Sequence, residues 1–102
     1  SWCGPCRSEA PLLSVAYARY GSHIRFIGAD VNDTQDGARR FIESYGLDFE
    51  QFFDPRAAIL TALRSTGVPQ TFFFAPGGDL RFAQHGVIDE HTLAIHIDDL
   101  LR

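Results

Sequence analysis

Apolar positions along this chain recur first with a helical period. Ala10, Leu13, Ala16 and Tyr17 fall on one face of a segment from Cys6 to Tyr20, the spacing of an amphipathic helix. Pro11 lies inside it and predicts a kink, because proline removes a backbone hydrogen bond and crowds the preceding turn. Gly21 stands where the residue just past a helix end belongs. Ile24 to Val31, reading IRFIGADV, is mostly apolar and predicts a buried strand. Asn32, Asp33 and Thr34 form a polar turn that offers a helix cap. Ala38, Phe41, Ile42 and Tyr45 then return to helical spacing, and Gly46 closes that helix.

The second half is less regular. Phe49 to Phe53 reads equally as a short strand or as irregular chain. Asp54-Pro55 is a helix start, a capping carboxylate followed by proline at the first helical position. Ile59, Leu60 and Leu63 form the apolar face of a short helix ending near Gly67. Thr71 to Ala75 (TFFFA) is a continuous apolar strand expected to be buried on both faces. Pro76-Gly77-Gly78-Asp79 is a turn, and Leu80 to Val87 is the returning arm of a hairpin. Asp89 caps a last helix with Leu93, Ile97, Leu100 and Leu101 on one face. The order α–β–α–(β?)–α–β–β–α points to a three-layer α/β sandwich with a mixed sheet.

Length and composition narrow the field. The 102 residues, 45% hydrophobic, 13% aromatic and 22% charged, suit one globular domain. No apolar run approaches the ~18 residues of a membrane-spanning helix. The charge is −4, and all nine basic residues are scattered arginines. Nucleic-acid binding normally needs a basic stripe, so that partner is not expected. The chain starts at Ser1 and holds no Met, which is expected of a processed product or a fragment. A leader peptide could not be seen in such a chain, so its absence says nothing of compartment.

The chemistry concentrates in Trp2-Cys3-Gly4-Pro5-Cys6. Two cysteines separated by two residues at the opening of a helix suit reversible disulfide chemistry. Cys3 would lie at the helix N-terminus, where free amide N–H groups and the macrodipole favour a thiolate. Cys6 follows one turn later, and Gly4 and Pro5 shape that turn. A zinc site would need two further ligands, and His23, His85, His91 and His96 stand at no metal-like spacing to the pair. A haem attachment would need His after the second cysteine, but Arg7 stands there. Two structural cysteines remain the bland alternative. Glu9 reads as a solvated charge, and the four histidines as surface or boundary residues.

WCGPC, a Pro-containing helix, and Gly67-Val68-Pro69-Gln70-Thr71 ahead of a strand resemble the thioredoxin superfamily. Arg7-Ser8-Glu9-Ala10-Pro11, Asp54-Pro55, and Phe72-Phe73-Phe74 before Pro76-Gly77-Gly78-Asp79 are similar to its TlpA/ResA-like, extracytoplasmic branch. The resemblance implies a thioredoxin-like α/β/α sandwich over residues 1–102, incomplete at its N-terminus. It implies Cys3 as nucleophile and Cys6 as resolving thiol. Pro69 would be the cis-proline facing the pair, Val68 would offer its backbone to substrate, and Trp2 would wall the groove. Gln70 cannot titrate, so no general-base role falls to it.

The implied function is reduction of protein disulfides without metal or organic cofactor. Electrons would come from a membrane thiol transporter at the outer face of a bacterial membrane or in the periplasm, with a possible missing N-terminal anchor. The alternatives are a cytoplasmic thioredoxin-type reductant served by a thioredoxin reductase, and a non-catalytic remnant or binding module. A peroxidase would want a Thr three residues before a cysteine, and none stands there. In the family a buried strand precedes the cysteine motif. Here only Ser1 and Trp2 do, so the resemblance implies a gap between the Ile24–Val31 and Thr71–Ala75 strands. With that slot unfilled, the segment is expected to be unstable or inactive, since unpaired buried backbone groups cost about 1–3 kcal/mol each.

Overall fold

The computed structural model describes residues 3–65 and 67–102. Cys3, in extended backbone, is the N-cap of helix α1 (Gly4–Tyr20), with Pro5 in the first turn where its missing N–H costs nothing. The helix continues without a break through Pro11, which is exposed. Gly21 stands just past the helix end, as expected, but outside the left-handed conformation common at that position. Its φ of −62° is right-handed, and the glycine is needed for space, because a Cβ there would lie 2.6 Å from the Tyr17 ring.

Strand β1 (Ile27–Val31) follows, shorter at its start than the apolar run that predicts it. Helix α2 (Gln35–Tyr45) is capped by Thr34, whose side chain accepts the Gly37 N–H. It ends at Gly46, whose φ of +62° is the left-handed position a Cβ disfavours. The ambiguous stretch after it is strand β2 (Glu50–Asp54), parallel to β1 and in register from Ile27↔Glu50 to Val31↔Asp54.

Helix α3 is only Ala58–Ala62 and begins three residues later than Pro55 predicts. Ala57 is left-handed there, with φ of +54°, and separates Pro55 from the helix. The Asp54 carboxylate still caps α3 from that distance, accepting the N–H groups of Ala58 and Ile59, each at 2.9 Å. Strands β3 (Gln70–Phe74) and β4 (Leu80–His85) form an antiparallel hairpin with an irregularity at Phe73/Phe74. Helix α4 (Glu90–Leu100) is capped by Asp89, and Leu101 lies past its end, exposed.

The expected mixed sheet is present as two ribbons, β1–β2 parallel and β3–β4 antiparallel. Among the described residues no strand hydrogen-bonds to both β1 and β3. A groove of about 810 Å³ lined by both strands lies between them, at the place where the family resemblance implies a gap. The two strands are therefore less buried than their apolar sequence predicts: Ile27 is 50% and Phe74 44% exposed. Phe73 is the residue of β3 that is buried.

Helix α1 joins the two halves. Ala16 packs with Phe73, Ile88, Leu93 and Ile97 of the hairpin side. Ala10 packs with Leu47 and Phe49 on the β1–β2 side. There Tyr17, Phe26 and Phe49 form a mutual aromatic cluster with centroids 5.4–5.7 Å apart, a geometry that adds to plain area burial. Among the described residues no helix is long and apolar enough to cross a membrane.

Candidate functional site

The N-terminus of α1 opens onto the groove. Cys3 and Cys6 are joined there as a disulfide, with Cα atoms 5.2 Å apart. One helical turn brings the residues this close, because the backbone rises only about 1.5 Å per residue. The Cys6 backbone N–H donates to Cys3 Sγ at 3.2 Å. That N–H is one of the donors a helix start leaves without an intrahelical acceptor, so the sulfur at position 3 does the work of a capping oxygen. Cys3 is 6% exposed, and both cysteines line the groove. Gly4 and Pro5 form the first turn of α1 between them. Trp2, expected as a wall of the groove, lies outside the described residues.

The loop before β3 forms another border of the same groove. Val68 and Pro69 line it together with the cysteines. Their peptide bond is cis, Pro69 is buried and Val68 is half-buried. The elements thus bring four of the residues singled out in sequence, Cys3, Cys6, Val68 and Pro69, around one cavity. Among the described residues no group of three or more His, Cys, Asp or Glu is arranged to hold a metal ion.

Glu9 corrects its sequence reading. It is not a solvated charge but 5% exposed, and its Oε2 accepts the backbone N–H of Ile88 at 2.8 Å. Burial pushes its carboxyl above the ordinary glutamate value of 4.5, and the Ile88 bond pulls the other way. It lines the groove with the cysteines. A signal was present: Glu9, Leu13 and Ala16 stand at i, i+4 and i+7, which sets Glu9 on the apolar face of α1.

Two further polar groups in the groove had no sequence signal. Asp30 of β1 has its carboxyl raised, chiefly by burial. Gln51 of β2 reaches the groove beside Gly28, where a Cβ would collide with its amide. Its Nε2 is buried without a hydrogen-bond partner.

Comparison with known proteins agrees with this geometry. The AhpC/TSA family matches residues 1–83. The thiol-disulfide oxidoreductase ResA of Bacillus subtilis (strain 168) is 26% identical over 94 residues, covering 91% of this chain and 52% of the relative. A thiol:disulfide interchange protein DsbE homolog of Paracoccus denitrificans (strain Pd 1222) is 33% identical over 79 residues, covering 76% of this chain and 42% of the relative. Among solved structures, a secreted Mycobacterium tuberculosis disulfide oxidoreductase homologous to E. coli DsbE superposes with a TM-score of 0.86 at 23% identity, over 97% of this chain and 75% of that one. The chain spans about half the length of the curated relatives it matches. With the family matched over most of its length and the fold shared with these structures, the chain belongs to the AhpC/TSA family and has a thioredoxin-like fold.

Proposed function

We propose that this chain carries the dithiol of a ResA/DsbE-type thiol–disulfide oxidoreductase that reduces protein disulfides. The observation that carries the reading is the position of Cys3 Sγ. It caps α1, accepts the Cys6 N–H and is bonded to Cys6 Sγ at the edge of the groove. A thiolate in its place meets the same N–H and the positive end of the helix dipole. Both lower the cost of the negative charge.

In the reduced form, Cys3 attacks one sulfur of a substrate disulfide. A mixed disulfide forms and the other substrate sulfur leaves as a thiolate. Cys6, deprotonated, then attacks Cys3 Sγ, closes the Cys3–Cys6 bond and releases the second substrate thiolate. Two electrons pass to the substrate, and the oxidised pair is the state described above. The sulfurs carry both electrons, so the step calls for no metal or organic cofactor, and a second dithiol partner must restore the reduced pair. Val68 and Pro69, which line the same groove, would receive the substrate chain, with Gly4 and Pro5 fixing the turn between the cysteines.

The reducing direction is supported by the Gly-Pro dipeptide, which resembles that of reducing thioredoxins. An extracytoplasmic setting with a membrane-borne electron donor is what the resemblance to the TlpA/ResA-like branch implies, and the similar Mycobacterium tuberculosis oxidoreductase is a secreted protein. The test is insulin reduction in excess small dithiol. The protein should accelerate it, Cys3→Ser should fall to the uncatalysed rate, and Cys6→Ser, reduced beforehand and mixed with insulin after the dithiol is removed, should accumulate a mixed disulfide. Equal rates for the protein and Cys3→Ser would leave only a binding module.

A further inference from the structure

Gln70 follows the cis-proline directly and opens β3 opposite His85 of β4. Its side chain ties Ser65 and Gly67, just before it in the chain, to His85 of β4. The Ser65 hydroxyl donates to Gln70 Oε1, and His85 Nδ1 meets the same oxygen at 2.8 Å. Gln70 Nε2 donates to the Gly67 carbonyl at 2.6 Å. The backbone adds one more tie, from Gly86 N–H to the Pro69 carbonyl at 3.0 Å. These contacts border a hollow of about 340 Å³, while Val68, Pro69 and Gln70 also line the groove that holds the cysteines.

We infer that Gln70 is a positioning residue: its amide clamps the Gly67–Pro69 segment to the end of β4 and so sets where Val68 stands for a polypeptide substrate. The inference rests on the proposed reading of that segment as substrate-facing. The chemistry of the amide fixes the rest. An amide oxygen only accepts, so Ser65 and His85 must both donate to it. Neutral His85 therefore carries its proton on Nδ1. Gln70 is one atom type away from an unsuitable residue: a glutamate there could still face Ser65 and His85 but would turn an oxygen toward the Gly67 carbonyl.

Two measurements test this. The first reads the His85 ring by nitrogen NMR in alkaline solution on the unaltered protein. The clamp requires the Nδ1–H tautomer, and a proton on Nε2 overturns it whether or not the protein is active. The second compares Gln70→Ala and Gln70→Glu with the parent on insulin and on a small aromatic disulfide. Loss of one or two such bonds should raise KM for insulin about five- to tenfold and leave kcat/KM on the small disulfide within about twofold. An equal loss on both substrates, or no change on either, overturns the positioning role. If the parent itself reduces neither substrate, the proposed function fails, and the tautomer measurement still decides the clamp.

Discussion

The Glu9 carboxylate accepts the backbone N–H of Ile88 at 2.8 Å across 79 residues of sequence. The bond fastens the segment between β4 and α4 to the first turns of α1, beside the cysteines. Ile88 is 1% exposed, so its N–H has no water to turn to, and an unmet donor there would cost about 1–3 kcal/mol.

The same burial gives Glu9 a pH signature. Its folded carboxyl holds a proton more readily than the unfolded one, whose value is near 4.5. Such a group contributes stability below the unfolded value, and the contribution is lost as pH rises through the folded one. Glu9→Gln keeps an oxygen for Ile88 and removes the ionisation. Urea denaturation at a series of pH values should show the difference between variant and parent shifting in the variant's favour from mildly acidic to neutral pH. A constant difference would contradict the assignment.

Asp54 is buried and holds the start of α3 through the Ala58 and Ile59 N–H groups. Asp54→Ala should cost about 1–2 kcal/mol of unfolding free energy. Asp54→Asn retains one side-chain oxygen and should cost less. Equal stability of the alanine variant and the parent would mean that the cap contributes nothing.

Core and surface should separate sharply. Ile97, 2% exposed in the cluster with Phe73 and Leu93, should lose about 2–5 kcal/mol on truncation to Ala. Arg25 and Glu50 form an ion pair at 2.8 Å, but their side chains are 72% and 42% exposed. Arg25→Ala should therefore change stability by no more than about 1 kcal/mol. Chemical denaturation of the two variants side by side checks the contrast.

What could be read in the sequence was local. The cysteine spacing, the Gly46 stop, the Asp89 cap and the hairpin turn each declare themselves within a few residues. What could not be read depended on distant partners. Strand β2 exists because β1 offers a parallel edge, and Phe49–Phe53 alone does not specify that. The spacing sets Glu9 on the apolar face of α1, but its partner, the Ile88 N–H, arrives from the far end of the chain. The late start of α3 follows from a left-handed Ala57, a conformation that alanine does not advertise. An apolar strand predicts burial, yet burial needs a neighbour on the facing edge, and among the described residues β1 and β3 each pair on one side only.

The most direct test measures the alkylation rate of Cys3 in the reduced protein against pH, with the modified residue located by mass spectrometry. A sulfur that caps α1 and accepts the Cys6 N–H should react with a midpoint below the free-thiol value of about 8.5. A midpoint at or above that value would contradict the role given to Cys3.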